Sequence, residues 1–302
     1  MSARIAGAVD FGGTKLMIGL VDETGAILDR QTVVTPRDAG PPAVAQEAAR
    51  ALRAQLDKRG MRASDLVGVG STVPALADSA RGILLYAPAH GWRDVAFAQM
   101  LEAEVGVRAR IANDVNACVL AEARFGVGRD VRTMVWITVS TGVGSGLLLD
   151  GRLYEGSRAL AGEIGHIVVD EKGATCGCGN RGCLEAMAAG PAIAKRARAA
   201  GLDAIDARAV AELAKRDDPV AKQVMEDTAV YLGRGIAACI NVLDPELVVL
   251  GGGVAQSLDL LRPTIERTIR ERVIMPEARG TRIEPSALGY ECALIGAATL
   301  VL

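Results

Sequence analysis

The chain has 302 residues, half of them apolar, and its 34 basic and 36 acidic residues leave a net charge of -2. That balance excludes a basic footprint for nucleic acid and an acidic tail, and the length suits one large domain or two lobes. Aromatic residues are 3% of the chain, too few for a module that stacks sugars on rings, while 35 glycines, against an average share of roughly 7%, suggest backbone approaching a ligand in several places.

No apolar run approaches the roughly 18 to 20 residues of a spanning helix, and the start, M-S-A-R-I-A-G-A-V-D, is too quickly charged for a signal peptide. A cytoplasmic protein with no membrane partner is expected. Ile5 to Val9 reads as a buried strand that runs into D-F-G-G-T-K, Asp10 to Lys15, and a second strand follows from Leu16 to Val21. The turn Asp22 to Gly25 and the apolar Ala26, Ile27 and Leu28 extend this into a meander. Gly12 and Gly13 leave amide N–H groups to face an anion, Thr14 adds a donor, and Asp10 can hold Mg2+ through water. No G-K-[ST] opens a helix here, so this is not a Walker A loop.

Pro41 to Gly60 has helical spacing, Leu66 to Gly70 returns to strand, and Ser71 to Asp94 is loop-rich, with Pro74, Pro88 and the Gly91-Trp92 pair. Ala96 to Val105 is a helix, Arg108 to Ile111 a strand, and Val115 to Phe125 a helix ended by Gly126. Alternating strands and helices indicate a parallel or mixed α/β sheet. Asp114 then lies at or near a helix N-terminus, where the dipole favours its ionised form. Helix capping is the ordinary role of an Asp there. Its pairing with Asn113 at the C-terminal end of a strand, where α/β proteins place ligands, points instead to function.

The opening pattern recurs about 130 residues on. A strand, Met134 to Val139, leads into S-T-G-V-G-S-G, Ser140 to Gly146, a second strand, Leu147 to Leu149, and an Asp150-Gly151 turn. This suggests an internal duplication into two lobes, each with a phosphate-cradling hairpin, and two such loops facing one cleft would clamp a polyphosphate. A third glycine cluster, Gly251 to Gly253, follows the buried strand Leu247 to Leu250 and would let a ring or ribose approach the backbone.

His166, one of two histidines, precedes Cys176, Cys178 and Cys183. One imidazole and three thiolates compose a closed tetrahedral zinc site, with the intervening glycines allowing the tight turns. A disulfide explains neither the odd cysteine nor the histidine. A filled Cys3His site needs neither Glu163 nor Glu185. They are either solvated neighbours of a structural knuckle or groups that face a substrate, whose hydroxyl could also accept the second N–H of a metal-bound His166. Cys118, Cys239 and Cys292, isolated in apolar surroundings, read as buried, inert thiols.

Taken together, D-x-G-G-T-K at Asp10, N-D at Asn113, T-G-V-G-S-G, A-G-E-I-G-H at Ala161, the block from Gly173 to Glu185, the triple glycine at Gly251 and L-I-G-A-A at Leu294 resemble, end to end, the ROK family of sugar kinases and sugar-responsive repressors. The resemblance implies an α/β, two-lobed actin/hexokinase-like ATPase fold, each lobe a mixed sheet flanked by helices. The small lobe would be 1–112 with the C-terminal helix 288–302, and the large lobe, with the zinc, 113–287. It implies Asp114 as catalytic base, Asn113, Asp114, Glu163, His166 and Glu185 around the sugar, and structural Zn2+ on His166, Cys176, Cys178 and Cys183. ATP with Mg2+ would lie on Asp10, Gly12, Gly13, Thr14, Lys15, Thr141, Gly142 and Gly144, with adenosine near Gly252 and Gly253. A homodimer is implied as well.

Departures from the family pattern cluster. Ser71-Thr72-Val73-Pro74-Ala75 stands where Pro-Gly is usual, Ala87-Pro88-Ala89-His90-Gly91-Trp92 lacks the asparagine of many glucose-using members, and Arg158 replaces the common Asn or His. The expectation is a hexose kinase, with glucose phosphorylated at O6 as the first substrate. Fructose, allose, N-acetylmannosamine and N-acetylglucosamine are alternatives. A sugar-sensing regulator is the alternative of a different class, disfavoured because Asp10 leaves no room before it for a DNA-binding helix-turn-helix.

Overall fold

The computed structural model describes residues 3–88 and 90–302, so Ala89 lies outside the described residues. The chain divides into two compact units, Met1–Arg129 with Glu155–Leu160 and Tyr290–Leu302, and Asp130–Tyr154 with Ala161–Gly289. No described helix is long and apolar enough to cross a membrane.

In chain order the first unit contains β1 (Ile5–Phe11), β2 (Lys15–Asp22), β3 (Ile27–Val34), α1 (Gly40–Lys58), β4 (Val69–Val73), β5 (Leu76–Asp78), β6 (Ile83–Ala87), β7 (Trp92–Val95), α2 (Phe97–Val105), β8 (Ala109–Asn113) and α3 (Asp114–Phe125), and it recovers a C-terminal helix, Cys292–Thr299. Its main sheet runs β3-β2-β1-β4-β8. The hairpins β1–β2–β3 are antiparallel, and β4 and β8 add in parallel. Side chains alternate across β1 with period two, so its two faces bury different things. Val9 and Phe11 pack with Leu52 and Leu101 of α1 and α2, while Ala6 and Ala8 meet Leu294, Ala297 and Ala298 of the C-terminal helix. Small residues on both sides let that helix approach closely. Helix α3 packs on it too, which is why residues 113–129 group with this unit rather than with the second.

The second unit contains β9 (Met134–Val139), β10 (Val143–Leu149), β11 (Arg152–Leu153), α4 (Leu184–Ala188), α5 (Gly190–Ala199), α6 (Ala207–Lys215), α7 (Pro219–Leu243), β12 (Leu247–Gly251), α8 (Leu258–Arg272) and β13 (Arg282–Pro285). Its sheet runs β11-β10-β9-β12-β13, an antiparallel meander continued by parallel strands, the same plan as the first. Val135, Ile137 and Val139 pack into a core shared with α7 and α8. Asp218 caps α7 by accepting from Ala221 N at 2.8 Å, with Pro219 in the first turn.

Three local expectations are corrected. Ser71 to Asp94 holds more than loop, because β5, β6 and β7 form a three-stranded antiparallel sheet. The strand expected at Leu66 to Gly70 runs instead from Val69 to Val73, where the buried hydroxyls of Ser71 and Thr72 are satisfied. Ser71 donates to Thr72 O at 2.8 Å and Thr72 to Asp10 at 2.8 Å. The strand after S-T-G begins at Val143, so Gly144 is a strand residue and the turn proper is only Ser140 to Gly142.

Candidate active site and metal centre

In the first unit, strand β1 carries Asp10 into the hairpin turn. Gly12 N–H donates to Lys15 O at 3.0 Å, and Gly12 O accepts from Thr35 Oγ1 at 2.8 Å. Gly12's amide is therefore spent inside the hairpin and does not face an anion as expected. Gly13 is different: a side chain there would meet nothing within 4 Å. Thr14 and Lys15 beside it are exposed. Asp10 Oδ1 accepts from Thr72 Oγ1 at 2.8 Å, and Thr72 Oγ1 itself accepts from Phe11 N at 3.1 Å, so a buried threonine fixes the carboxylate. Burial pushes Asp10's carboxyl above its ordinary range, and the threonine bond partly opposes this. Thr72 was not among the expected site residues. Its partner lies 62 positions away, and only the parallel pairing of β1 with β4, Asp10 opposite Thr72, brings them together.

At the end of β8, Asn113 and not Asp114 caps α3. The amide oxygen of Asn113 accepts from Val115 N at 3.1 Å and Asn116 N at 3.4 Å, and its nitrogen donates to Ala75 O at 3.2 Å. The Asn113 side chain also hydrogen-bonds the Asp114 carboxyl. Asp114, the first residue of the helix, accepts from Val115 N at 3.0 Å. The helix dipole does not decide its protonation as expected. Burial first, and the nearby charge of Asp10 second, push its carboxyl up to about 6 against the opposing Val115 N–H bond.

In the second unit, the A-G-E-I-G-H turn lies against β10, where Ser145 Oγ donates to Gly162 O at 2.7 Å. His166 then sends its two ring nitrogens in different directions. Nδ1 is 3.6 Å from Cys176 Sγ, and Nε2 is 3.8 Å from the exposed Glu163 carboxylate. Cys178 Sγ and Cys183 Sγ are 3.6 Å apart, and the four ligand atoms all lie within 4.8 Å of one another. Zn–S bonds of about 2.3 Å and a Zn–N bond of about 2.1 Å at tetrahedral angles give edges of about 3.6–3.8 Å, so the donor set fits zinc. Burial and the neighbouring thiols push Cys183 up to about 12, a site that a cation would convert to thiolate. Gly182 has φ +68° and a Cβ there would collide with Asp170 O at 1.5 Å, so the knuckle requires glycine at that position.

Cys183 is also the N-cap residue of α4, whose first turn holds Glu185. Glu185 Oε2 accepts from Val143 N at 3.1 Å. Thr141 is exposed on the same turn, and Gly142 packs under that carboxylate. Gly252 lies after β12 with φ +84°, against Val139 O, while Gly253 is open, with nothing within 4 Å of a Cβ. Cys118, Cys239 and Cys292 are buried as expected; Cys292 Sγ donates to Cys118 O at 3.6 Å.

Comparison with known proteins places this geometry. Glucokinase of Halalkalibacterium halodurans is 33% identical over 316 residues, covering 100% of this chain and 96% of that one. N-acetylmannosamine kinase of Citrobacter koseri is 37% identical over 233 residues, 76% of this chain and 77% of that one. Among solved structures, a ROK family glucokinase from Streptomyces griseus in complex with glucose and AMPPNP is 31% identical, with a TM-score of 0.81 and 99% of each chain covered. With the motifs on the elements just described and residues 6–302 matching the family's pattern, the chain belongs to the ROK family.

Proposed function

We propose that the protein is an ATP-dependent sugar kinase that transfers the γ-phosphoryl group of ATP to a hexose, with glucose, phosphorylated at O6, as its first substrate. The observation that carries this reading is Asp114, a partly buried carboxylate at a strand-to-helix junction, poised near 6 by burial and the neighbouring charge of Asp10. A general base is most useful when its pKa lies near the working pH. The full-length similarity to glucokinases supports glucose as the sugar.

Phosphoryl transfer passes through a loose transition state, so the enzyme chiefly aligns the attacking hydroxyl and removes its proton late. Asp114 accepts that proton. Asn113, Glu163, His166 and Glu185 hold other sugar hydroxyls, and the open backbone at Gly13, Thr141 and Gly253 receives nucleotide. Mg2+ would supply charge neutralisation at the phosphates, with Asp10, oriented by Thr72, as its anchor. Zinc, on four protein ligands and without an open position, would act structurally, fixing His166 and the start of α4. The protein works as a homodimer.

The test is ADP release from Mg-ATP across glucose, fructose, allose, mannose, N-acetylmannosamine and N-acetylglucosamine. Glucose is expected to give the highest kcat/KM. Turnover confined to an N-acetylhexosamine would move the substrate and leave the kinase, whereas no turnover with any sugar overturns the enzyme reading in favour of a sensor.

A further inference from the structure

We propose that Glu185 positions the Ser140–Val143 turn as well as receiving substrate, so that sugar and nucleotide affinities are coupled through one carboxylate. This rests on the kinase reading above. All the contacts lie within the second unit. Cys183, a ligand in the metal cluster, starts α4, and two residues later Glu185 Oε2 reaches the turn and accepts Val143 N–H at 3.1 Å. A methyl group at Gly142 would come within 2.6 Å of that oxygen, so the carboxylate occupies the hollow left by the missing side chain. Ser140 N–H closes the turn onto Gly142 O at 2.9 Å, and Gly190 N–H ties Ser140 O to the start of α5 at 2.7 Å.

Oε2 is therefore committed to the protein, while among the described residues no hydrogen bond reaches Oε1. An ionised carboxylate accepts on both oxygens, so a sugar hydroxyl can take Oε1 while Oε2 keeps the turn. The two bonds are not independent. A carboxylate drawn toward a sugar carries Val143 N–H and the Thr141-Gly142 backbone with it, and a turn ordered by nucleotide holds the carboxylate in place for sugar. Coupling of this kind is reciprocal by thermodynamic necessity.

The experiment uses the full-length, zinc-loaded protein and two probes measured separately by calorimetry, Mg-ADP without sugar and glucose without nucleotide. Glu185→Ala is expected to weaken Mg-ADP roughly tenfold, and Gly142→Ala, which touches no sugar, to weaken glucose roughly tenfold, the scale of one charge-assisted bond. The double variant should bind each probe no more weakly than the worse single variant, because both changes break one unit. Glu185→Gln, which keeps a carbonyl acceptor for Val143, should restore Mg-ADP affinity to within about threefold while glucose stays weak. Unchanged metal content and melting in Glu185→Gln separate this effect from misfolding. Additive losses in the double variant, or Mg-ADP affinity indifferent to Glu185→Ala, overturn the proposal. If the parent binds Mg-ADP and phosphorylates no sugar, the kinase reading fails, and the Mg-ADP measurements on Glu185→Ala and Glu185→Gln still decide the positioning role.

Discussion

The first turns of α3 and α4 carry the two carboxylates on which the proposed chemistry depends, and the protein treats them in opposite ways. Asp114 follows a capping asparagine on a strand end, in a place where burial and the charge of Asp10 raise its proton affinity to about 6. Glu185 stands two residues after Cys183, which precedes the helix as one of the four candidate metal ligands and makes no side-chain cap bond, and Glu185 is given a backbone N–H that lies outside its own helix. Two similar local motifs thus yield a group that can take a proton and a group that serves as a fixed acceptor. The difference comes from what surrounds each helix start: a second carboxylate in one case, a glycine turn and a metal knuckle in the other.

The comparison is broken most severely by removing the base. Asp114→Ala should lower kcat by roughly 100- to 10,000-fold, the usual span of general-base catalysis, and leave sugar affinity within about tenfold. Near-normal kcat in that variant, measured by coupled ADP release, would mean that proton removal lies elsewhere and that the raised carboxyl is incidental.

Next in size is the metal. One zinc per chain is expected by elemental analysis, and Cys183→Ser or chelation should remove it, weaken glucose binding by about 10- to 100-fold and lower the melting temperature, because Cys183 would both ligate the metal and lead into α4. Asp114-side measurements give the contrast. Properties of the first unit, such as the fluorescence of Trp92 read in a Trp136→Phe background, should not follow metal loss. A chelated protein that binds glucose normally would detach the knuckle from the site.

How much of this was legible in the sequence depends on distance along the chain. The metal cluster falls within eighteen positions, 166 to 183, and its donors needed no fold to be recognised. Asn113 and Asp114 were legible as a strand-to-helix junction, although which of them caps the helix was not, since both residue types cap well. Thr72 was invisible because its partner is in another strand, and a buried Ser-Thr pair looks like a loop until its hydroxyl acceptors are known. The three short strands between Leu76 and Val95 were hidden by Pro74, Pro88 and the Gly91-Trp92 pair, which read as punctuation at that scale. The Glu185 to Val143 bond was hidden for the same reason as Thr72, 42 residues of separation closed only by tertiary packing.

A smaller effect probes the support of Asp10. Thr72→Val keeps the β-branched shape that suits β4 and deletes the donor to Asp10 together with the acceptor for Phe11 N–H. An unsatisfied buried N–H costs about 1–3 kcal/mol, so stability should drop by that order, and the KM for Mg-ATP should rise several-fold with the KM for sugar nearly unchanged. A rise in the sugar KM alone would show that Thr72 serves the sugar rather than Asp10.

The smallest effect tests the electrostatic half of the comparison directly, in the absence of nucleotide and Mg2+. A carboxyl whose pKa is raised from 3.8 in the unfolded chain to about 6 in the folded one costs stability wherever it is ionised in the native state. Between those two values the folded protein binds more protons than the unfolded one, so stability contributed by this group falls as pH rises, and the penalty is complete above about 6. Asp114→Asn removes it. The variant should therefore melt higher than the parent at pH 8, and the advantage should shrink through pH 6 and vanish near pH 4. The shift corresponds to about 3 kcal/mol at 1.36 kcal/mol per unit, and because Asp114 is only partly buried and keeps some contact with water, roughly 1–2 kcal/mol of it should appear. That is a few degrees of melting temperature for a chain of this size. The same proton should give the parent an acid limb in kcat, with rate rising toward a plateau as pH increases past about 6. Asp114→Asn melting at or below the parent at every pH would show that the carboxylate is stabilised in place, and that the α3 start does not differ from the α4 start in the way its burial and its acidic neighbour indicate.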